Sequence, residues 1–121
     1  MNFPIKIAFW EAKDDHSPIT EFLDSIAVRD AVWISKKNSY FERKNYKQLE
    51  YSKHWGKIVN IDYELYELKY HSSPPYRAIC IPWKEKIVIL VLFKGSGSNG
   101  NVNRYLPTAV ERAKDWKERF I

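Results

Sequence analysis

Residues 67–94 read ELKYHSSPPYRAICIPWKEKIVILVLFK, and where this stretch is cut decides the fold. Its last third holds an unbroken apolar run from Ile87 to Phe93, closed by Lys86 and Lys94. Such a run suits a strand covered on both faces at the centre of a sheet. Ser72-Ser73-Pro74-Pro75 and Trp83-Lys84-Glu85 are the breaks, both short enough for hairpins. The spacing therefore predicts strands over 64–71, 76–82 and 86–94, paired as an antiparallel meander.

Cations punctuate this sheet sequence: Lys69, His71, Arg77 and Lys94. Side chains alternate along a strand, so register decides which of them share a face. A three-residue loop at 72–74 sets Lys69 opposite Arg77 and Glu67 opposite Ile79. A two-residue turn at Lys84-Glu85 sets Arg77 opposite Leu92, with Lys94 just beyond on the same face. In that register all four cations gather at one rim. A one-residue slip splits the set, and a four-residue first loop puts Tyr70 beside Arg77. The plainer alternative is that strand-end cations are solvated and discourage edge-to-edge pairing.

Outward from the meander, residues 5–10 (IKIAFW) read as a first strand. Ser17-Pro18 is a helix start, serine as N-cap and proline at N1. Ile19, Phe22, Leu23 and Ile26 follow on one stripe, and a second helix runs from about Val28 to Lys44. Residues 45–62, with Lys47, Lys53, His54 and Lys57, read as a solvated basic connection. Gly95 to Asn101 reads as a flexible loop, with no Gly-Lys-Ser/Thr to make it a phosphate-binding P-loop. Pro107 marks the start of a closing helix carrying Val110, Ala113, Trp116 and Phe120. The expected class is α+β: a strand, two helices, a three-strand meander and a C-terminal helix, in one domain over residues 1–121.

The composition sets bounds. With 121 residues, 45% of them hydrophobic, the chain can bury a core, which argues against wholesale disorder. Twenty Lys and Arg against fifteen Asp and Glu leave +5, informative only if the excess concentrates on one surface. The lone Cys80 excludes an internal disulfide and a cysteine-based zinc site. No apolar run approaches the length of a membrane span, and no signal-like leader precedes the first strand, so a cytoplasmic protein is expected.

Several segments, in this order, resemble one known family. They are Ser17-Pro18-Ile19-Thr20-Glu21-Phe22-Leu23, Leu65-Tyr66-Glu67-Leu68-Lys69, Pro75-Tyr76-Arg77, the 87–93 strand and Ala109-Val110-Glu111-Arg112-Ala113. The likeness is to the phage-derived, HigB-like branch of the RelE toxin superfamily. It implies a small antiparallel sheet flanked by helices and ribosome-dependent endoribonuclease cleavage of mRNA, with no metal or other cofactor. It also implies a cognate antitoxin as partner. Lys69 stands where the family's Leu-Tyr-Glu-Leu-Arg motif has arginine. Arg77 matches the arginine after an aromatic residue. Lys94 matches the first lysine of a Phe-x-Lys-Lys-like motif, whose next position here is Gly95. Arg104 and Tyr105 fall where some members place a late cation and an aromatic ring for RNA contact.

Metal-free RNA cleavage needs a proton acceptor, stabilisation of phosphorane charge and a proton donor to the leaving oxygen. The catalytic candidates are Lys69, His71, Arg77 and Lys94. Arg77 and Lys94 suit phosphate charge, Lys69, crowded by like charges, suits proton transfer, and His71 suits acid–base work. Arg104 and Tyr105 are the RNA-binding candidates, Tyr105 as a stacking platform. Two alternatives stay open: a catalytically inactive relative that binds RNA or a protein, and a phage-encoded regulator whose cations are dispersed.

Overall fold

The computed structural model describes residues 4–59, 61–95 and 100–121. Its elements run β1 (Lys6–Phe9), α1 (Pro18–Ser25), α2 (Val28–Phe41), α3 (Tyr46–Glu50), β2 (Trp55–Lys57), β3 (Tyr66–Lys69), β4 (Tyr76–Trp83), β5 (Lys86–Lys94) and α4 (Gly100–Arg119). The five strands form one sheet in the order β1-β5-β4-β3-β2. This is the expected α+β class, with the meander β3-β4-β5 and a C-terminal helix. Two features go beyond the expectation. β1 joins β5 in parallel, so the sheet is mixed, and the stretch 45–62 adds α3 and the edge strand β2.

Side-chain caps set the starts of α1 and α3. Ser17 caps α1 by accepting from the Thr20 N–H, with Pro18 at the first helical position. Asn45 and Gln48 form a reciprocal capping box around α3. α4 begins seven residues before Pro107, which lies inside the helix rather than at its start. Val102 and Tyr105, both packed on the sheet, anchor the turns ahead of the proline. Of the loop read over 95–101, residues 96–99 lie outside the described residues, and Gly100 and Asn101 belong to α4.

The sheet separates two cores. On one side Leu68, Tyr70, Tyr76, Ala78, Cys80, Ile87 and Ile89 meet Ile19 of α1 and Ile34 and Phe41 of α2. On the other, Leu65, Ile79, Ile81, Val88, Leu90 and Phe93 meet Val102, Ala109, Ala113 and Trp116 of α4. β5, buried from Ile87 to Phe93, lies between them as a central strand should. Hydrogen bonds tie α2 down: Tyr70 Oη donates to Asn38 (2.8 Å), Tyr76 Oη to Asp30 (2.8 Å) and Trp33 Nε1 to the Tyr70 carbonyl (3.3 Å). Among the described residues, no helix is long and apolar enough to cross a membrane.

Register is where the meander departs from expectation. Lys69 pairs with Arg77 and Glu67 with Ile79, as the first loop's centre predicts. The second hairpin starts as expected, Trp83 opposite Lys86, and keeps step as far as Cys80 opposite Ile89. There the ladder shifts, and Ile79 pairs with Val91. Leu90 is thus the extra residue of a β-bulge. Leu90 and Val91, though adjacent, both lie in the core beneath α4. Beyond the bulge Arg77 faces Phe93 instead of Leu92, and Lys94 faces Tyr76.

Candidate nucleic-acid interface

Residues paired directly across a ladder share a face. The row Lys69–Arg77–Phe93 therefore crosses three strands on the α4 side of the sheet. Glu67, two residues before Lys69, lies on the same face. One of its carboxylate oxygens is 3.6 Å from Lys69 Nζ and the other 3.6 Å from Arg77 Nη1. Both contacts exceed hydrogen-bond length, so charge holds the trio together. The Glu67 side chain is only 13% exposed, against 44% for Lys69 and 19% for Arg77. The carboxylate thus sits deeper than the ammonium it neutralises.

Two of the three, Glu67 and Lys69, border a cleft of about 370 Å³ between the β2–β3 edge and the first turns of α4. Glu67 and Lys69 line it together with Trp55, Lys57, Val102 and Asn103. The Trp55 ring itself turns to the α1 and α2 side of the sheet, where it stacks on Tyr66 at 4.8 Å and stiffens the edge strand. Cys80, fully buried on that same side, has its thiol pushed well up by burial, with Glu67 adding to the shift. It is a core residue rather than a nucleophile.

The other predicted site residues divide between the two faces. Tyr105 stacks on Phe93 at 4.5 Å, and the Arg104 guanidinium lies 5.8 Å from the Tyr105 ring centre. Both are therefore on the Arg77 side, but one face of the Tyr105 ring is already covered. Lys94 pairs with Tyr76, whose ring meets Phe22 of α1, so it belongs to the opposite side from Arg77. The convergence expected of Lys94 fails because of the bulge at Leu90.

His71 leaves the Lys69 face for a different reason. Its φ of 50° takes the chain out of the extended region, so strand alternation no longer applies. Its ring lies 4.7 Å from that of His54, which in turn contacts Phe41 of α2. His71 Nε2 is 3.0 Å from the Lys53 carbonyl oxygen, and His54 Nδ1 is 3.1 Å from that of Lys69. Burial holds the His54 pKa below its ordinary 6.5, and repulsion from Lys37 and His71 pushes the same way.

Strand alternation already makes Glu67 an ion-pair partner for Lys69; what the sequence reading did not give is that it reaches Arg77 as well, for which its shared parity with both was the signal. Trp55 and Lys57 sit on a three-residue strand, too short to show alternation. No protein-family model matches the chain, and neither does any of the curated proteins compared with it. The functional reading therefore rests on the cleft and on the sequence segments quoted above.

Proposed function

We propose that the chain is an RNA-directed toxin of the RelE/HigB-like kind, which cuts messenger RNA on the ribosome without metal and is neutralised by a cognate antitoxin. The observation that carries this reading is the part-buried Glu67, which lines the cleft with Lys69 and bridges it to Arg77 one strand further in. An RNA phosphate entering the cleft meets the two cations now held by the carboxylate. Arg77 then stabilises the phosphorane as the 2′-oxygen bonds to phosphorus and the bond to the 5′-oxygen breaks. Glu67 accepts the 2′-hydroxyl proton and the Lys69 ammonium protonates the departing 5′-oxygen. The products are a 2′,3′-cyclic phosphate and a 5′-hydroxyl end. The quoted segments and the order of elements support the same reading.

The test is expression in bacteria. The wild-type chain should stop growth and shorten messenger RNAs, and Lys69→Ala with Arg77→Ala should do neither while remaining folded. A wild-type chain that is harmless with no antitoxin present overturns the toxin reading. A second reading, a catalytically inactive RNA or protein binder, is favoured by two observations. Tyr105 is already stacked on Phe93, and His71 and Lys94 stand away from Arg77. Growth arrest with intact messenger RNA supports that reading instead.

A further inference from the structure

On the side of the sheet away from the cleft, α2 presents a second group of cations. Arg29, Trp33, Lys37, Tyr40 and Lys44 recur at helical spacing along one flank, with Lys36 and Arg43 beside them. Ile34, Asn38 and Phe41 are buried toward the sheet. From Arg29 to Tyr40 the flank spans twelve residues, roughly 16 Å at helical rise, and Arg43 and Lys44 follow just past the end of the helix. Aromatic rings hold its cations in place. Lys37 Nζ lies 5.6 Å from the Trp33 ring centre and 5.2 Å from that of Tyr40, and Lys44 Nζ lies 5.0 Å from Tyr40.

This cationic flank differs from the cleft in one respect. Among the described residues, Lys36, Lys37, Arg43 and Lys44 form no ion pair, whereas Lys69 and Arg77 share Glu67. Of the neighbouring acids, Asp30 accepts from Tyr76 and lies 3.8 Å from Arg29, and Glu42 accepts from the Ile7 N–H. The surface is also apolar where a purely solvated helix face would be polar. Val32 and Trp33 are 46% and 44% exposed. Both line a groove of about 490 Å³ between α2 and the β3–β4 loop, with Arg29 and Lys36 on one side and His71 and Ser72 on the other. Unneutralised cations beside an exposed indole match a strand whose phosphates alternate with unstacked bases.

We propose that this flank of α2 is a second RNA-binding surface, separate from the cleft, which takes a single-stranded segment. Lys36, Lys37 and Lys44 hold phosphates while a base enters the groove against Trp33. The proposal extends the RNA reading above but does not depend on cleavage. It gives one chain two RNA contacts on opposite sides of the sheet, so one side can hold RNA while the other acts on it.

The experiment titrates a short fluorescein-labelled single-stranded RNA against wild type, a stripe variant and a cleft variant, each checked for folding by near-ultraviolet circular dichroism. The stripe variant is Lys36→Gln, Lys37→Gln and Lys44→Gln; the cleft variant is Lys69→Ala with Arg77→Ala. The stripe variant should bind at least tenfold more weakly at low salt, with its salt slope flattened by roughly 2 for three lost contacts. The cleft variant should keep that part of the slope. Trp33→Phe, which retains a stacking face, should bind more tightly than Trp33→Leu. A stripe variant matching wild type in affinity and slope overturns the proposal, as does a wild type that binds no RNA. Preferential binding of polyglutamate through the same lysines also overturns it, and assigns the flank to an acidic protein. Failure of the cleft reading shows separately, as unchanged cleavage by the cleft variant.

Discussion

Glu67 has two roles that pull in opposite directions. It neutralises Lys69 and Arg77, and in the proposed reaction it is the group that accepts a proton. Glu67→Gln separates them. Removing the charge takes one carboxylate away from both cations, so RNA should bind more tightly, while single-turnover cutting should slow by about 10² to 10⁴. Tighter binding with unchanged cutting would restrict Glu67 to holding the cations. His54 allows a second test. Its folded pKa lies below 6.5 because burial disfavours the charged ring. The unfolded chain therefore takes up a proton that the folded chain resists. His54's contribution to stability is full above about pH 6.5 and falls away as the pH drops below it. The urea midpoint should decline between about pH 7 and pH 5, and by less in His54→Gln.

At the scale of elements, the bulge in β5 decides which side chains meet. The Leu90 carbonyl, displaced from the regular ladder, accepts from Arg112 Nη1 at 2.7 Å, and the guanidinium lies 4.7 Å from the Trp10 ring centre. Partial burial lowers the Arg112 pKa. Arg112→Met removes the donor and leaves a part-buried carbonyl unpaired. It should cost about 1–3 kcal/mol, seen as a lower urea midpoint at unchanged slope. A loss within a few tenths would mean that water replaces Arg112.

Sequence alone showed the meander, the Ser17 cap and the pairing of Lys69 with Arg77, because each rests on local spacing. The bulge left no such trace. Ile89-Leu90-Val91-Leu92 is apolar throughout, so either register buries equivalent side chains and no glycine marks the kink. Asn45 and Gln48 did spell out a capping box, but α3 has five residues and depends on tertiary packing to exist. Pro107 read as a helix start because proline favours that position, whereas contacts of Val102 and Tyr105 with the sheet extend α4 ahead of it.

Across the whole molecule, the cations that looked like a single cluster are divided by the sheet. Lys69, Arg77 and Arg104 belong with α4, and Lys94 and His71 with α1 and α2. The flank of α2 adds a separate charged surface on that second side. The modest net charge of +5 is thus spread over a cleft where Glu67 offsets part of the Lys69 and Arg77 charge and a helix flank whose lysines form no ion pair among the described residues. Salt should affect the two differently. RNA binding through α2 should weaken steeply with ionic strength, while Lys69→Ala with Arg77→Ala should change that slope little, because those cations lie on the other side of the sheet and Glu67 offsets part of their charge. A large loss of slope in the cleft variant would instead place the main phosphate track on the sheet. The most direct test of the cleft's proposed role is a single-turnover cleavage assay on purified ribosomes carrying a defined messenger RNA. Wild type should cut the RNA to leave a 2′,3′-cyclic phosphate, and Arg77→Ala should cut at least about 10²-fold more slowly. Equal rates for the two proteins, or no cutting by wild type, would contradict it.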